Sequence, residues 1–204
     1  MSPRGRPREF EPDQVLDQAL DVFWTRGYAA SSLDDLGAAM GIARPSLYKA
    51  FGDKEALYLA TLERFRDGLA ETFRACLAEA PTRRAGILGF LRASIERYTA
   101  GDTARGCLVW CTGIADAPTV PRVKELLASM IAELDASYIT TLRAARSDGE
   151  LPRRADVAAL GRLLGSTQHS IAMRARAGIP ASELERIAVE AVAIVFGPER
   201  ASRR

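Results

Sequence analysis

Apolar side chains recur at helical spacing along almost the whole chain, and no segment sustains the alternation of a half-buried strand. Val15, Ala19 and Phe23 make one row, and Leu16, Leu20 and Trp24 the row beside it. Asp13, Asp17 and Asp21 stack on another face, read as solvated, so residues 12–26 form an amphipathic helix. Pro12 suits its first turn and Gly27 the position after its last. Ser31 to Asp35 carry the Ser-x-x-Asp spacing of a capping box in both registers. Leu33, Leu36 and Met40 come next on one face, and Gly41 closes that helix. Pro45 can open a third helix, with Leu47, Ala50 and Phe51 inward and Arg44, Ser46, Tyr48 and Lys49 outward. Gly52 ends it, Asp53 can cap a fourth helix, and Glu55 suits the first turn of that fourth helix.

From Lys54 to Ala80 the helical pattern runs on without a proline. Beyond it, Pro81, Gly101-Asp102, Pro118, Pro121, the stretch from Asp148-Gly149 to Pro152, and Gly178 with Pro180 cut the chain into helix-sized intervals. The pattern predicts an all-α fold of about nine helices. Short elements precede residue 54 and long amphipathic helices come after it, so the predicted domains are 1–54 and 55–204, divided at the base of the fourth helix.

Two hundred and four residues, 48% of them apolar, suffice for one ordinary domain or two small ones, and a net charge of +2 selects no class of partner. No apolar run approaches the roughly 18 residues a membrane helix needs. Arg4, Arg6 and Arg8 are followed by no apolar segment, so they do not read as a secretory signal. Three cysteines without such a signal predict a cytoplasmic protein with no disulfide framework. The single histidine, His169, argues against a multi-histidine metal site. Gly-x-Ser-x-Gly, His-Glu-x-x-His, Gly-x-Gly-x-x-Gly and P-loop motifs are all missing, so the expectation is no catalytic residue, no cofactor and no metal.

Two short helices joined at a glycine, the second with basic and hydroxyl side chains outward, make a helix-turn-helix. The second must be polar outward to enter a major groove, while its inward face holds it on the others. Residues 1–54 hold seven basic and eight acidic side chains, which excludes a uniformly basic module. The charges are segregated, however: the tail arginines precede Glu9, and Arg44, Lys49 and Lys54 gather about the second helix.

The run from Gly27-Tyr28 to Leu57, above all Gly41-Ile42-Ala43-Arg44-Pro45-Ser46-Leu47-Tyr48-Lys49-Ala50-Phe51-Gly52-Asp53-Lys54-Glu55-Ala56-Leu57, resembles the tetracycline-repressor (TetR) family of bacterial transcription regulators. Pro45 departs from the pattern, since many members carry Gly there. Arg105-Gly106-Cys107-Leu108 resembles a Gly-Cys-Leu run in the sensor domains of one branch of that family. The resemblance implies an N-terminal three-helix DNA-binding domain and a C-terminal bundle that dimerises and binds an effector. It further implies a repressor released from double-stranded operator DNA by a small molecule. Its DNA contacts would fall on Ser31, Ser32, Arg44, Pro45, Ser46, Tyr48, Lys49 and Lys54; the tail arginines Arg4, Arg6 and Arg8 are open to two readings, a disordered tail or a minor-groove arm.

In the second domain, Val157, Leu160, Leu164 and Ile171 make one stripe and Leu184, Ile187, Ala191 and Val195 another; paired across a two-fold axis they would form a four-helix dimer interface. Aromatic, sulfur and apolar residues of the middle helices form a candidate pocket: Phe65, Leu69, Tyr98, Cys107, Trp110, Cys111, Met130, Leu134, His169 and Met173. At the same spacing these could simply be core. If Gly106 lies at a helix start, the helix dipole would lower the Cys107 thiol. The alternative left open is a helical small-molecule-binding or thiol-reactive sensor that does not act through operator DNA.

Overall fold

In the computed structural model, which describes residues 12–101 and 104–197, α1 (Pro12–Ala30) ends its regular course where the sequence predicts. Gly27, at φ 79° and ψ 172°, breaks the helical backbone, and Tyr28 to Ala30 add a further turn. Arg4, Arg6 and Arg8 lie outside the described residues. The chain divides into two compact units, one up to Arg64 and one from Phe65. The first thus reaches ten residues past position 54.

In the first unit, α2 (Leu33–Met40) begins at Ser32. Of the two capping-box registers, the structure uses Ser32 with Asp35: the Asp35 amide donates to Ser32 Oγ at 3.0 Å, and the Ser32 amide donates to Asp35 Oδ2 at 3.1 Å. Gly41, left-handed at φ 63°, closes the helix, and α3 (Arg44–Phe51) starts three residues on with Pro45 in its first turn. Val15, Ala19, Phe23 and Trp24 of α1 are buried together with Leu36, Met40 and Leu47, and with Leu57, Tyr58 and Leu62 from the start of α4 (Lys54–Glu79). Tyr58 lies 4.8 Å from Phe23 and 5.0 Å from Tyr28, ring to ring. The acidic stripe of α1 is more than a solvated face. Arg64 holds Asp17 through two hydrogen bonds, at 2.5 and 2.7 Å, and reaches Asp13 at 3.2 Å.

The second unit holds the rest of α4, α5 (Arg83–Thr99), a π-helical stretch Val109–Gly113 running into the short α6 (Ile114–Asp116), α7 (Pro121–Ser147), α8 (Val157–Arg176) and α9 (Ala181–Phe196). Among the described residues there are therefore nine α-helices and no strand. Side chains supply the starts: Thr82 accepts from the Ala85 amide, and Asp156 from those of Ala158 and Ala159. Glu150, distant in sequence, takes the first free amides of α5, those of Arg83 and Arg84, at 2.8 and 3.0 Å. Phe73 meets Phe90 and Tyr138 edge-on at 4.8 and 5.3 Å, forming the centre of this core. α7 and α8 approach so closely that a methyl on Gly161 would stand 2.5 Å from Ile139 Cγ1.

Candidate nucleic-acid interface and effector cavity

α3 is anchored by one side chain. Leu47 is fully buried, Phe51 is half-buried, and Ala50, expected inward, is exposed. An eight-residue helix packed on α2 with a single buried apolar position leaves Arg44, Pro45, Ser46, Tyr48 and Lys49 all facing solvent. Tyr48 stands out as a large hydrophobic ring left 48% exposed. The predicted outward face is present.

Flanking residues divide. Ser31 is buried and donates its hydroxyl to the Gly27 carbonyl at 2.6 Å, so it braces the kink of α1 and presents nothing outward. Ser32 is exposed, and its hydroxyl is engaged in the capping box. The Ser32 hydroxyl and amide, with Arg26 at 2.7 Å, hold the Asp35 carboxyl down at about 2. The Lys54 ammonium lies 4.4 Å over the Tyr28 ring, which aims it from the start of α4. Arg44 donates through Nε and Nη2 to the two carboxylate oxygens of Asp34, at 2.7 Å each.

The bundle holds a partly open cavity of about 340 Å³, within the range of small-molecule sites. Its walls are mainly apolar, from α4, α5, the π-helical stretch and α7. Leu69, Cys107, Trp110, Met130 and Leu134 of the expected set line it. Phe65, Tyr98, Cys111, His169 and Met173 do not: Phe65 and Tyr98 are core, and Met173 is 56% exposed. Phe73 and Phe90 line it and went unpredicted, as did the polar side chains Arg66, Glu133 and Ser137. The signal for Phe73 was there, since Phe65, Leu69 and Phe73 form one i, i+4 row.

Trp110 lines the wall. Its Nε1 is buried and finds no hydrogen-bond partner among the described residues, and its ring lies 4.0 Å from that of His169, whose Nε2 is equally unpartnered. Burial holds the His169 imidazole below its usual range. Cys107 sits just before the π-helical stretch. There the Trp110 and Val109 amides favour the thiolate, as expected of a helix start, but full burial outweighs them and pushes the thiol up to about 12. Gly106 has a geometric reason. At φ 63° it is left-handed, and a methyl there would lie 2.6 Å from the Ala172 carbonyl of α8.

The expected dimer stripe needs correction. Val157, Leu164, Ile171, Leu184, Ala191 and Val195 are buried in the chain's own core, because α8 packs on α5 and α7 and α9 packs on α5 and α8. Leu160 and Ile187 are half-buried. The apolar side chains these helices leave exposed are Leu163, Met173, Val189 and Ile194, the last at 72%.

The family model "Bacterial regulatory proteins, tetR family" matches residues 15–61, the span from α1 into α4. The chain is 32% identical over 188 residues to the HTH-type transcriptional repressor ComR of Escherichia coli K12, covering 91% of this chain and 89% of that protein. An uncharacterized HTH-type regulator of Bacillus subtilis, YezE, is 27% identical over 84% of this chain and 89% of its own length. Among solved structures, a cysteine mutant of the TetR-family regulator CifR, complexed with 26-base-pair operator DNA, superposes with a TM-score of 0.83 at 32% identity, covering 92% of this chain and 98% of that one. A TetR regulator from Chloroflexus aurantiacus gives 0.79 at 25% identity over 91% and 93%.

Proposed function

The chain belongs to the TetR family of bacterial regulatory proteins, and on that premise we propose that it is a DNA-binding transcriptional repressor, released from a palindromic operator by a small-molecule effector. The observation that carries this reading is α3 itself, with Leu47 its one fully buried side chain and Arg44, Ser46, Tyr48 and Lys49 exposed together. A helix so presented can lie in a major groove. Tyr48, Lys49 and Lys54 serve the phosphates, and Arg44, Pro45 and Ser46 face the bases. Ser32 supports the backbone contact by fixing the start of α2, whose free amides favour a phosphate. Ser31 has a bracing role only.

Residues 1–54 are then the reading head and 55–204 the effector-binding and dimerisation part. Apolar walls, with Arg66 as a lining donor that lies 2.9 Å from Asp67 and 4.0 Å from Glu133, suit a compact, mostly apolar effector carrying a carbonyl or hydroxyl oxygen. Such a ligand acts by preferring the conformation that fits the operator less well, and linkage makes the two affinities oppose each other by one factor. Two copies present two reading helices, so the operator is a near-palindrome with half-site centres about one turn, ~34–36 Å, apart.

Selection from random duplexes tests this. Near-palindromic winners that lose affinity when about five base pairs, half a turn, separate the half-sites are expected. Recovery of no preferred duplex, or of asymmetric sites indifferent to the insertion, overturns the reading. A thermal-shift screen of apolar oxygen-bearing compounds, followed by operator release, tests the cavity.

A further inference from the structure

An arginine at the first position of α3 sits where the helix dipole disfavours a cation, and no acidic side chain of α3's own first turn offsets it. The compensating charge comes from the first turn of α2. Asp34 takes Arg44 Nε on one carboxylate oxygen and Nη2 on the other, both at 2.7 Å, while the two side chains stay 76% and 53% exposed. The neighbouring acid cannot be exchanged for it, since Asp35 is held by Ser32 and Arg26.

Which edge of the guanidinium is gripped decides what remains. Of its five N–H groups, the Nε and one Nη2 hydrogen form the side edge, turned to Asp34. The end edge, one hydrogen each from Nη1 and Nη2, keeps two parallel donors. Two parallel donors on a plane match the paired O6 and N7 acceptors of guanine in the major groove. A phosphate contact gains nothing from this arrangement. The carboxylate cancels the charge that would attract the phosphate, and an unrestrained lysine would serve as well.

We propose that Arg44 is the base-reading residue of this head, specific for guanine, and that Asp34 is its positioning residue, holding the guanidinium end-on toward the base. The inference rests on the DNA-binding reading above. It accounts for an acid set against a cation of the reading helix: Asp34 weakens general attraction to DNA and confers direction in return.

The test uses full-length protein, a duplex selected by the parent, the same duplex with each G·C pair changed in turn to A·T, and a random duplex, over a salt series. In the parent, changing one G·C pair per half-site should cost roughly fivefold or more in affinity. Asp34→Asn should shrink that ratio several-fold, strengthen binding to random duplex, and steepen the salt slope by about one per head as Arg44 becomes a free cation. Arg44→Lys should abolish the preference at that pair. Asp34→Glu retains the charge and displaces the carboxylate by a methylene, so it should lose discrimination without the change in salt slope; it serves equally if the Asn variant melts early. A parent that discriminates between duplexes while Asp34→Asn and Asp34→Glu discriminate just as well overturns the buttress and leaves the repressor reading standing. Arg44→Lys selecting the same G·C pair also overturns it. A parent with no preference for any duplex overturns both.

Discussion

Tyr138 donates its hydroxyl to Gln168 Oε1 at 2.6 Å, and both side chains are fully buried between α7 and α8. The Gln168 amide nitrogen lies 3.4 and 3.5 Å from the hydroxyls of Ser94 and Tyr98 on α5. One glutamine thus joins three helices beside the cavity, and its strongest bond is the one from Tyr138. Tyr138→Phe keeps the ring against Phe73 and Phe90 while stranding a buried acceptor, which should cost about 1–3 kcal/mol in chemical denaturation. In a Gln168→Leu background the same change should cost measurably less, because the acceptor is gone; equal costs in the two backgrounds would deny the coupling.

Asp35 makes the start of α2 pH-dependent. Its carboxyl is held at about 2 against an ordinary 3.8, by Ser32 first and Arg26 after it. A carboxyl depressed on folding stabilises the fold above its unfolded value and stops doing so as pH falls through the folded one. The parent should therefore lose stability between about pH 4 and 2 more steeply than Asp35→Asn. Parallel denaturation midpoints for the two proteins across that window would show the carboxylate to be idle. Ser32→Ala should flatten the difference, since it removes the first cause of the shift.

What the sequence made legible was local. Gly27, Gly41 and the box of Ser32 with Asp35 lie within a few residues of the ends they set, so element boundaries in the head could be read from spacing. Depth could not. Periodicity assigns Leu164 and Leu184 to an apolar face without saying whether that face meets its own chain or another; here α5 and α7 take that of α8, and α5 and α8 that of α9. Ser31 illustrates the same limit: only the kink at Gly27 turns its hydroxyl inward. Bonds such as Arg44 to Asp34 and Glu150 to the start of α5 join segments whose nearness only the folded chain decides. The π-helical stretch has no distinct sequence period, and it carries Trp110 to the cavity wall.

Tyr48 and Lys49 should separate by salt. Lys49→Ala removes one phosphate cation per head and should weaken operator and random duplex alike, lowering the salt slope by about one per head. Tyr48→Phe removes a hydroxyl and no charge, so affinity should fall with the slope unchanged. Fluorescence anisotropy at four or five salt concentrations resolves the two patterns. Parent-like binding by both variants would mean that α3 does not face DNA.

The exposed apolar side chains of α8 and α9 give the dimer prediction its contrast. Ile194, at 72% exposure, and Leu163, at 43%, have no structural reason within one chain to be apolar, whereas Leu164 is fully buried in it. Glutamate at Leu164 places an unpaired charge in the bundle core and should cost several kcal/mol, enough to unfold it. Glutamate at Ile194 or Leu163 leaves that core untouched and should leave thermal melting of the monomer near the parent's. If these residues meet a second copy, both exposed-site variants should sediment as monomers and lose most of their affinity for a two-half-site operator. They should keep the weak, salt-sensitive binding of a single head. Dimers persisting in Ile194→Glu and Leu163→Glu alike would move the interface off this face, since a carboxylate buried at the centre of a two-fold contact meets its own copy and repels it.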